Sequence, residues 1–307
     1  MRISSNTIFE ASVNAMQQQS ARLMQVQQQI STGRRILTPA DDPIGAAQAL
    51  QVTQSQTMNT QYSTNAGSAS DSLTLEESVL GSITSLLQDV RTTAIIAGNG
   101  ALNSTDRAAL ATDLSGRYQQ LLGLANTVDS NGQYVFSGYQ GGVRPFTAQA
   151  NGTIDYNGDQ GQRLIQISPS EQLAVNDSGS DVFQRIPVVG GGYQDMFKTI
   201  DNLVQLLQTS PGGAGLTTGL ATALGNIDNA LNSVTAVRAS AGSRLQELDA
   251  VQTTGQDRAL QFNQTLSRLQ DVDYAKAAAE LTQQQVNLEA AQKSFVKVAG
   301  LSLFSYL

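Results

Sequence analysis

The tightest pairs of carboxylates in the sequence are Asp41 with Asp42 and Asp271 with Asp273. Such pairs can ligate a divalent cation or act as the acid and base of a glycosidase, provided that a cleft and further ligands surround them. The same side chains also cap helices and stabilise turns, because their oxygens accept backbone N–H groups. We interpret them as structural. The predicted loop or hinge residues are Pro39, Asp41, Asp42, Pro43, Asp271 and Asp273.

The composition excludes most catalytic chemistry. The sequence contains no Cys and no His, which excludes disulfides, Cys/His zinc sites, cysteine nucleophiles and imidazole acid–base catalysis. Gly213 and Gly215 do not form a dinucleotide-binding loop, because the third glycine falls at Gly219 and a proline precedes them. We therefore predict no cofactor and no metal, and no cysteine or histidine chemistry.

The charge distribution limits the possible partners. The 18 Lys and Arg residues against 25 Asp and Glu residues give a net charge of −7. This field repels phosphate backbones and anionic lipid surfaces, so we expect no nucleic acid and no membrane as partners.

Residues 1–30 also lack the apolar stretch of a cleavable signal. If the protein is exported, we expect export without a cleavable signal peptide.

The positions of proline and glycine divide the chain into helical ends and an irregular middle. Residues 44–144 and 212–307 contain no proline, as long helices require. Residues 130–219 hold more than half of the glycines, together with many aromatic residues, which is typical of strands and turns. The predicted fold is mainly α with a β-rich insert: a long coiled-coil helical rod made from both termini, plus a small outer β domain.

Local signals predict individual elements. Gly33 ends the first helix, and Asp42 caps a second helix that starts at Pro43. Ser104 or Thr105 caps a third helix that Asn131 and Gly132 stop. The other predicted elements are a strand at 134–136, a hairpin of 153–156 with 163–167, and a helix that returns near Asp195.

The last helical stretch carries a coiled-coil seam. Apolar residues occupy most heptad a and d positions from Leu224 to Leu269, so a partner helix must lie along it. Beyond Leu269 the apolar residues move by one position, at residues 270–273. This slip rotates the apolar face, and we interpret it as the joint where the helix leaves its coiled coil for another partner.

Each end of the chain carries one apolar stripe on an otherwise polar helix. Ordering ~35 residues costs on the order of 50 kcal/mol, which needs about 2,000 Å² of apolar burial. One amphipathic helix cannot supply this area, so the ends must pair with each other and with neighbours, or fray as coiled-coil tips. The predicted assembly residues are Phe9, Met16, Leu23, Ile30, Leu281, Leu288, Phe295, Val298, Leu303, Phe304 and Leu307.

Motifs at both ends of the chain resemble one protein family. Residues 30–36 (Ile-Ser-Thr-Gly-Arg-Arg-Ile), 39–43 (Pro-Ala-Asp-Asp-Pro) and 268–275 (Arg-Leu-Gln-Asp-Val-Asp-Tyr-Ala) are similar to the bacterial flagellin family. Residues 1–4, 131–138 and 301–307 extend the resemblance, which is weakest at 143–193.

The resemblance implies a division of the chain into three parts. Residues 1–45 and 270–307 would be terminal arms that build an inner tube. Residues 46–130 and 194–269 would form the coiled-coil rod. Residues 131–193 would form the β-rich outer domain.

The resemblance also implies a function and partners. The chain would be a structural subunit of the extracellular flagellum, not an enzyme and without catalytic residues, exported by the flagellar type III apparatus. It would form a ring of copies at the junction between hook-associated protein 1 of the hook and the flagellin filament, after a flagellar export chaperone has covered its C-terminal helix. The alternatives are a filament flagellin and, from a different class, a secreted coiled-coil effector or adhesin.

Overall fold

The computed structural model describes residues 2–149, 152–188, 192–210 and 212–300. Within them, no helix is long and apolar enough to cross a membrane. The helices are α1 (Arg2–Thr32), α2 (Pro43–Ala97), α3 (Ser104–Ala125), α4 (Met196–Thr209), α5 (Ala214–Gln270) and α6 (Tyr274–Gly300). The strands are β1 (Phe146–Ala148), β2 (Ile154–Tyr156), β3 (Leu164–Ser168), β4 (Glu171–Ala174), β5 (Ile186–Pro187) and β6 (Tyr193–Gln194), and a π-helical turn covers Ser180–Gln184.

The fold is mainly helical with a small β-containing region, which confirms the predicted fold class. The chain separates into two compact units. We call Met1–Met58 with Asp257–Leu307 the terminal unit, and Asn59–Gln256 the central unit. The three-part division inferred from the resemblance stays a prediction.

Most predicted helix ends are confirmed. Gly33 ends α1 with a φ of +71°, a left-handed conformation that favours glycine. Asp195 caps α4 by accepting the Lys198 N–H. The cap predicted for α3 is wrong: Asn103 is the N-cap, since its side chain accepts two backbone N–H groups while Asp106 accepts the Asn103 N–H.

Within the described residues, the strands form three two-stranded antiparallel sheets, and the hairpin predicted from the sequence is wrong. β2 pairs with β1, and β3 pairs with β4. The segment between β2 and β3 turns away because Asp159 accepts the N–H groups of Tyr139, at 2.9 Å, and Gly161, at 2.8 Å. The predicted strand at 134–136 is reduced to a single bridge between Tyr134 and Val128.

α3 also ends earlier than predicted. Its last residue is Ala125 rather than one next to Asn131. The side chain of Asn126 accepts the Phe146 N–H at 3.0 Å and donates to the Phe146 oxygen at 3.0 Å. The Asn126 side chain therefore bonds both backbone groups of Phe146, the first residue of β1. The helix ends before Asn126, at the position where this contact forms.

The core of the central unit lies along α2 and α5 and continues under the strands. In α5 the d positions Ile227, Val234, Ala241 and Leu248 are buried, which confirms this part of the predicted seam. Buried aromatic rings fill the region where strands, α4 and the π-helical turn meet. The rings of Phe146, Phe183 and Phe197 lie within 5.1–5.6 Å of one another, centre to centre.

Candidate assembly interface

Helices α1 and α6 pack against each other in the terminal unit. The rings of Phe9 and Phe295 lie 5.1 Å apart, and the side chain of Gln19 donates to that of Gln284. Early residues of α1 thus meet late residues of α6, so the two helices run antiparallel. The two stripes predicted from the sequence face each other within one chain.

This register places the remaining predicted residues in pairs. Met16 of α1 lies opposite Leu288 of α6, and Leu23 lies opposite Leu281, by the spacing of the two observed contacts. All four side chains are half-buried, as is Ile30. Phe9 remains 51% exposed even though it touches Phe295.

Pairing leaves both helices shallowly buried. Among the described side chains of α1 and α6, only Val26 and Ala277 are buried, each 5% exposed. A single helix packed on a single helix covers one narrow strip of each, so most of the area needed to order them is missing. The side chain of Val298 and residues Leu303, Phe304 and Leu307 lie outside the described residues.

The structure also shows exposed apolar side chains that sequence patterns missed. Met24 and Val286 are each 59% exposed, and Val296 is 69% exposed. They lie off the stripes, among Gln, Ala and Lys, so no helical period marks them. They extend the candidate interface to the outer faces of α1 and α6.

The two loops of the terminal unit are joined to each other. The α1–α2 loop and the α5–α6 loop form an antiparallel bridge between Arg34 and Asp271. The Arg35 N–H donates to the Gln270 oxygen at 2.6 Å, and the Val272 N–H donates to the Gly33 oxygen at 2.9 Å. The guanidinium of Arg35 adds a bond to the Leu269 oxygen at 2.8 Å.

Asp41 organises the first of these loops. Its Oδ2 accepts the N–H groups of Leu37, at 3.0 Å, and Thr38, at 2.8 Å, while Oδ1 accepts from Gln25 of α1. These bonds, above all the one from the Thr38 backbone, hold the pKa of Asp41 below its usual value. Pro39 lies in the turn that these bonds close.

Asp42 caps α2, as predicted. Its Oδ1 accepts the Gly45 N–H at 2.9 Å, and Pro43 is the first helical residue. Its Oδ2 accepts from Arg35 at 3.2 Å. The bond from the Gly45 backbone is the largest cause that lowers the pKa of Asp42, and Arg35 adds to it.

The second carboxylate pair lies in the break between α5 and α6. Asp273 caps α6 by accepting the N–H groups of Ala275, at 3.0 Å, and Lys276, at 3.1 Å. Asp271 accepts from Ser267 at 2.5 Å. The register slip predicted within one long helix is therefore a break between two helices at residues 271–273.

The loop carboxylates are thus bound to backbone and side-chain donors. Within the described part of the chain, no group of three or more acidic side chains is arranged to hold a metal ion. The arrangement can do something different: it fixes the geometry of two half-buried helices.

The terminal unit has 9 Lys and Arg against 8 Asp and Glu, whereas the central unit has 9 against 17. Repulsion between like charges is therefore weaker in the terminal unit than in the central unit.

Family models match both ends of the chain. Residues 3–141 match the bacterial flagellin N-terminal helical region. Residues 224–307 match the bacterial flagellin C-terminal helical region. The matched ranges include the two loops and both terminal helices.

Individual relatives agree with these matches. Flagellar hook-associated protein 3 of Salmonella typhimurium is 34% identical over 99% of this chain and 99% of its own length. Flagellin FlaB2 of Treponema pallidum is 24% identical over 86% of this chain and 84% of its own length. The crystal structure of the flagellar junction protein FlgL from Legionella pneumophila has a TM-score of 0.64 at 21% identity, covering 73% of this chain and 100% of that one, and supports the fold.

Proposed function

This chain belongs to the bacterial flagellin family, and we propose that it is the structural subunit that joins the flagellar hook to the filament. The observation that carries this proposal is the 34% identity to a hook-associated protein 3 across 99% of both chains. The flagellin of Treponema pallidum is less similar, at 24%, and is matched over a smaller share of both chains. A flagellar location outside the cell follows from the same proposal.

The terminal unit supports assembly through α1 and α6. Their apolar stripes are half-covered by each other, and the outer faces add exposed apolar side chains such as Val286. Neighbouring subunits would supply the burial that the hairpin lacks within one chain. The fixed loops at residues 33–42 and 270–273 would keep the two helices in one register during this packing.

We assign four kinds of partner to these surfaces. Copies of the chain would form a ring, with hook-associated protein 1 on the hook side and flagellin on the filament side. Before assembly, the half-buried face of α6 would be exposed, and a flagellar export chaperone would cover it until the chain leaves by the type III route. Both roles use one face of α6, so they would exclude each other in time.

A polymerisation assay distinguishes this proposal from a filament flagellin. We expect the purified chain to add to isolated hooks that carry hook-associated protein 1, and flagellin to grow only from hooks that have received it. Incubated alone with filament seeds, the chain should form no long filaments in electron micrographs. Long filaments of the chain alone would identify it as a filament flagellin. Filaments that stay intact after gene deletion would favour a secreted effector or adhesin.

A further inference from the structure

A buried carboxyl group lies between α2 and the segment that follows β4. Glu76 of α2 is fully buried, at 0% exposure. Its Oε1 accepts the Asp177 N–H at 2.9 Å. Its Oε2 has no hydrogen-bond partner within the described residues. A buried carboxylate with one unsatisfied oxygen is costly, which favours the neutral, protonated form.

Three charged groups face Glu76 from the neighbouring elements. Asp177 follows β4, Arg163 precedes β3, and Arg244 belongs to α5. Arg244 forms an ion pair with Asp177 and also donates to the Ala174 oxygen at 3.1 Å. Burial, and next the Asp177 carboxylate, raise the pKa of Glu76 to about 8, against the opposing effects of the Asp177 N–H and the two arginines.

The same contacts attach the β3–β4 hairpin to the helices. Asn65 of α2 donates to the Gln166 oxygen at 2.7 Å. Below the hairpin, the apolar contact is a small cluster. It contains Ala66, Ala69 and Leu73 of α2, Ile167, Leu173 and Val175 of the hairpin segment, and Ala241 and Leu248 of α5. A charge on Glu76 would oppose the attachment that this cluster and these hydrogen bonds provide.

We propose that Glu76 and Asp177 form a proton-dependent clasp, which holds residues 164–177 on α2 and α5 while Glu76 is protonated and loosens when Glu76 releases its proton to solvent. In the loosened state, water would hydrate the Glu76 carboxylate. The inference is independent of the proposed function, because it concerns the attachment of the hairpin within one chain.

The sign of the effect follows from the two pKa values. Glu76 titrates at about 8 in the folded state and near its ordinary value of 4.5 when exposed. Its stabilising contribution is therefore complete below pH 4.5 and is lost as the pH rises to about 8. Over this window, the opening equilibrium rises by up to about tenfold per pH unit.

Hydrogen exchange on the full-length monomer tests the clasp. Peptides covering residues 164–177 would be followed by mass spectrometry between pH 6 and pH 9, after correction for the intrinsic pH dependence of exchange. We expect the opening constant of the unmodified chain to rise about tenfold or more, and that of Glu76→Gln to stay constant. Glu77→Gln is the matched control, because Glu77 is the next residue of α2 and pairs with Arg238 at 3.0 Å. It should behave like the unmodified chain.

Two further variants separate the clasp from other causes. Asp177→Asn removes the carboxylate that faces Glu76. The opening constant should therefore stop rising at a lower pH than in the unmodified chain. Glu171 on β4 and Glu247 on α5 also share a hydrogen bond that raises the pKa of Glu247. Glu247→Gln should keep most of the pH response. The proposal is overturned if the opening constant of the unmodified chain does not change with pH, or if that of Glu76→Gln changes equally. It is also overturned if Asp177→Asn does not lower the pH at which the opening constant stops rising, or if Glu247→Gln loses the pH dependence.

Discussion

Arg34 and Asp271 pair their backbones as an antiparallel bridge, although one lies near each end of the chain. The bridge joins the loop that ends α1 to the loop that starts α6. Since few of the described side chains of α1 and α6 are buried, this bridge and its neighbouring hydrogen bonds fix where the two helices begin to pack.

Replacing Gly33 tests the importance of this joint. Gly33 has a φ of +71°, and a Cβ there would lie 3.0 Å from the Tyr274 hydroxyl. We expect Gly33→Ala to destabilise the loop pair by about 1–2 kcal/mol, measured by hydrogen exchange of the Val272 amide. The control is Gly67→Ala, a helical position in α2 with nothing within 4 Å. The control should leave Val272 exchange unchanged, and an equal effect of both variants would contradict the prediction.

Acid should loosen the α1–α2 loop below the usual pKa of aspartate. Hydrogen bonds from the backbone lower the pKa values of Asp41 and Asp42 below 3.8. Their contribution is present above pH 3.8 and is lost as the pH falls through the lowered values. NMR titration of the Thr38 and Gly45 amides should show midpoints below 3.8, and Asp42→Asn should abolish the transition at Gly45. Midpoints at or above 3.8 would contradict it.

The terminal helices should exchange rapidly in the monomer. Only Val26 and Ala277 are buried among their described side chains, whereas α2 has a continuous row of buried residues from Val79 to Ala97. We expect amides of residues 10–30 and 275–295 to exchange about a hundredfold or more faster than those of residues 80–97. Limited proteolysis should trim both ends first. Equal protection of the arms and the core would show that the hairpin is stable alone.

The heptad spacing of α5 and the cap of α2 were predictable because they depend on neighbours in sequence. Ile227 and Val234 repeat every seven residues, and Asp42 caps the helix that begins with the next residue. The strand pairing depended instead on side chains such as Asp159 and Asn126, which bind backbone 20 residues away. Neither residue spacing nor local sequence motifs predict hydrogen bonds between residues this far apart.

The candidate interface shows the same limit. The stripes through Phe9 and Leu288 follow a helical period and were predicted, whereas Met24 and Val296 follow none. Glu76 stands beside Glu77 in a helix and reads as part of a polar face. Glu76 is buried because it contacts a segment that includes Asp177, which lies 101 residues further along the chain.

A charge on the half-buried face of α6 should prevent assembly without unfolding the central unit. Leu288→Asp places a carboxylate where neighbouring subunits would pack, so we expect at least about a tenfold loss of incorporation into flagella. Melting of the central unit, followed by circular dichroism, should not change. The matched control is Gln285→Asp, an exposed position of the same helix, which should assemble normally. A drop in melting temperature with normal incorporation would place Leu288 in the core of the monomer instead.

The most direct test of the junction function is the amount of flagellin released into the medium after the gene for this chain has been deleted from a motile strain. We predict hooks without filaments in electron micrographs and free flagellin in the medium by immunoblot, both reversed by the unmodified gene but not by Leu288→Asp. Filaments that remain attached in the deletion strain, with no increase in free flagellin, would contradict the account.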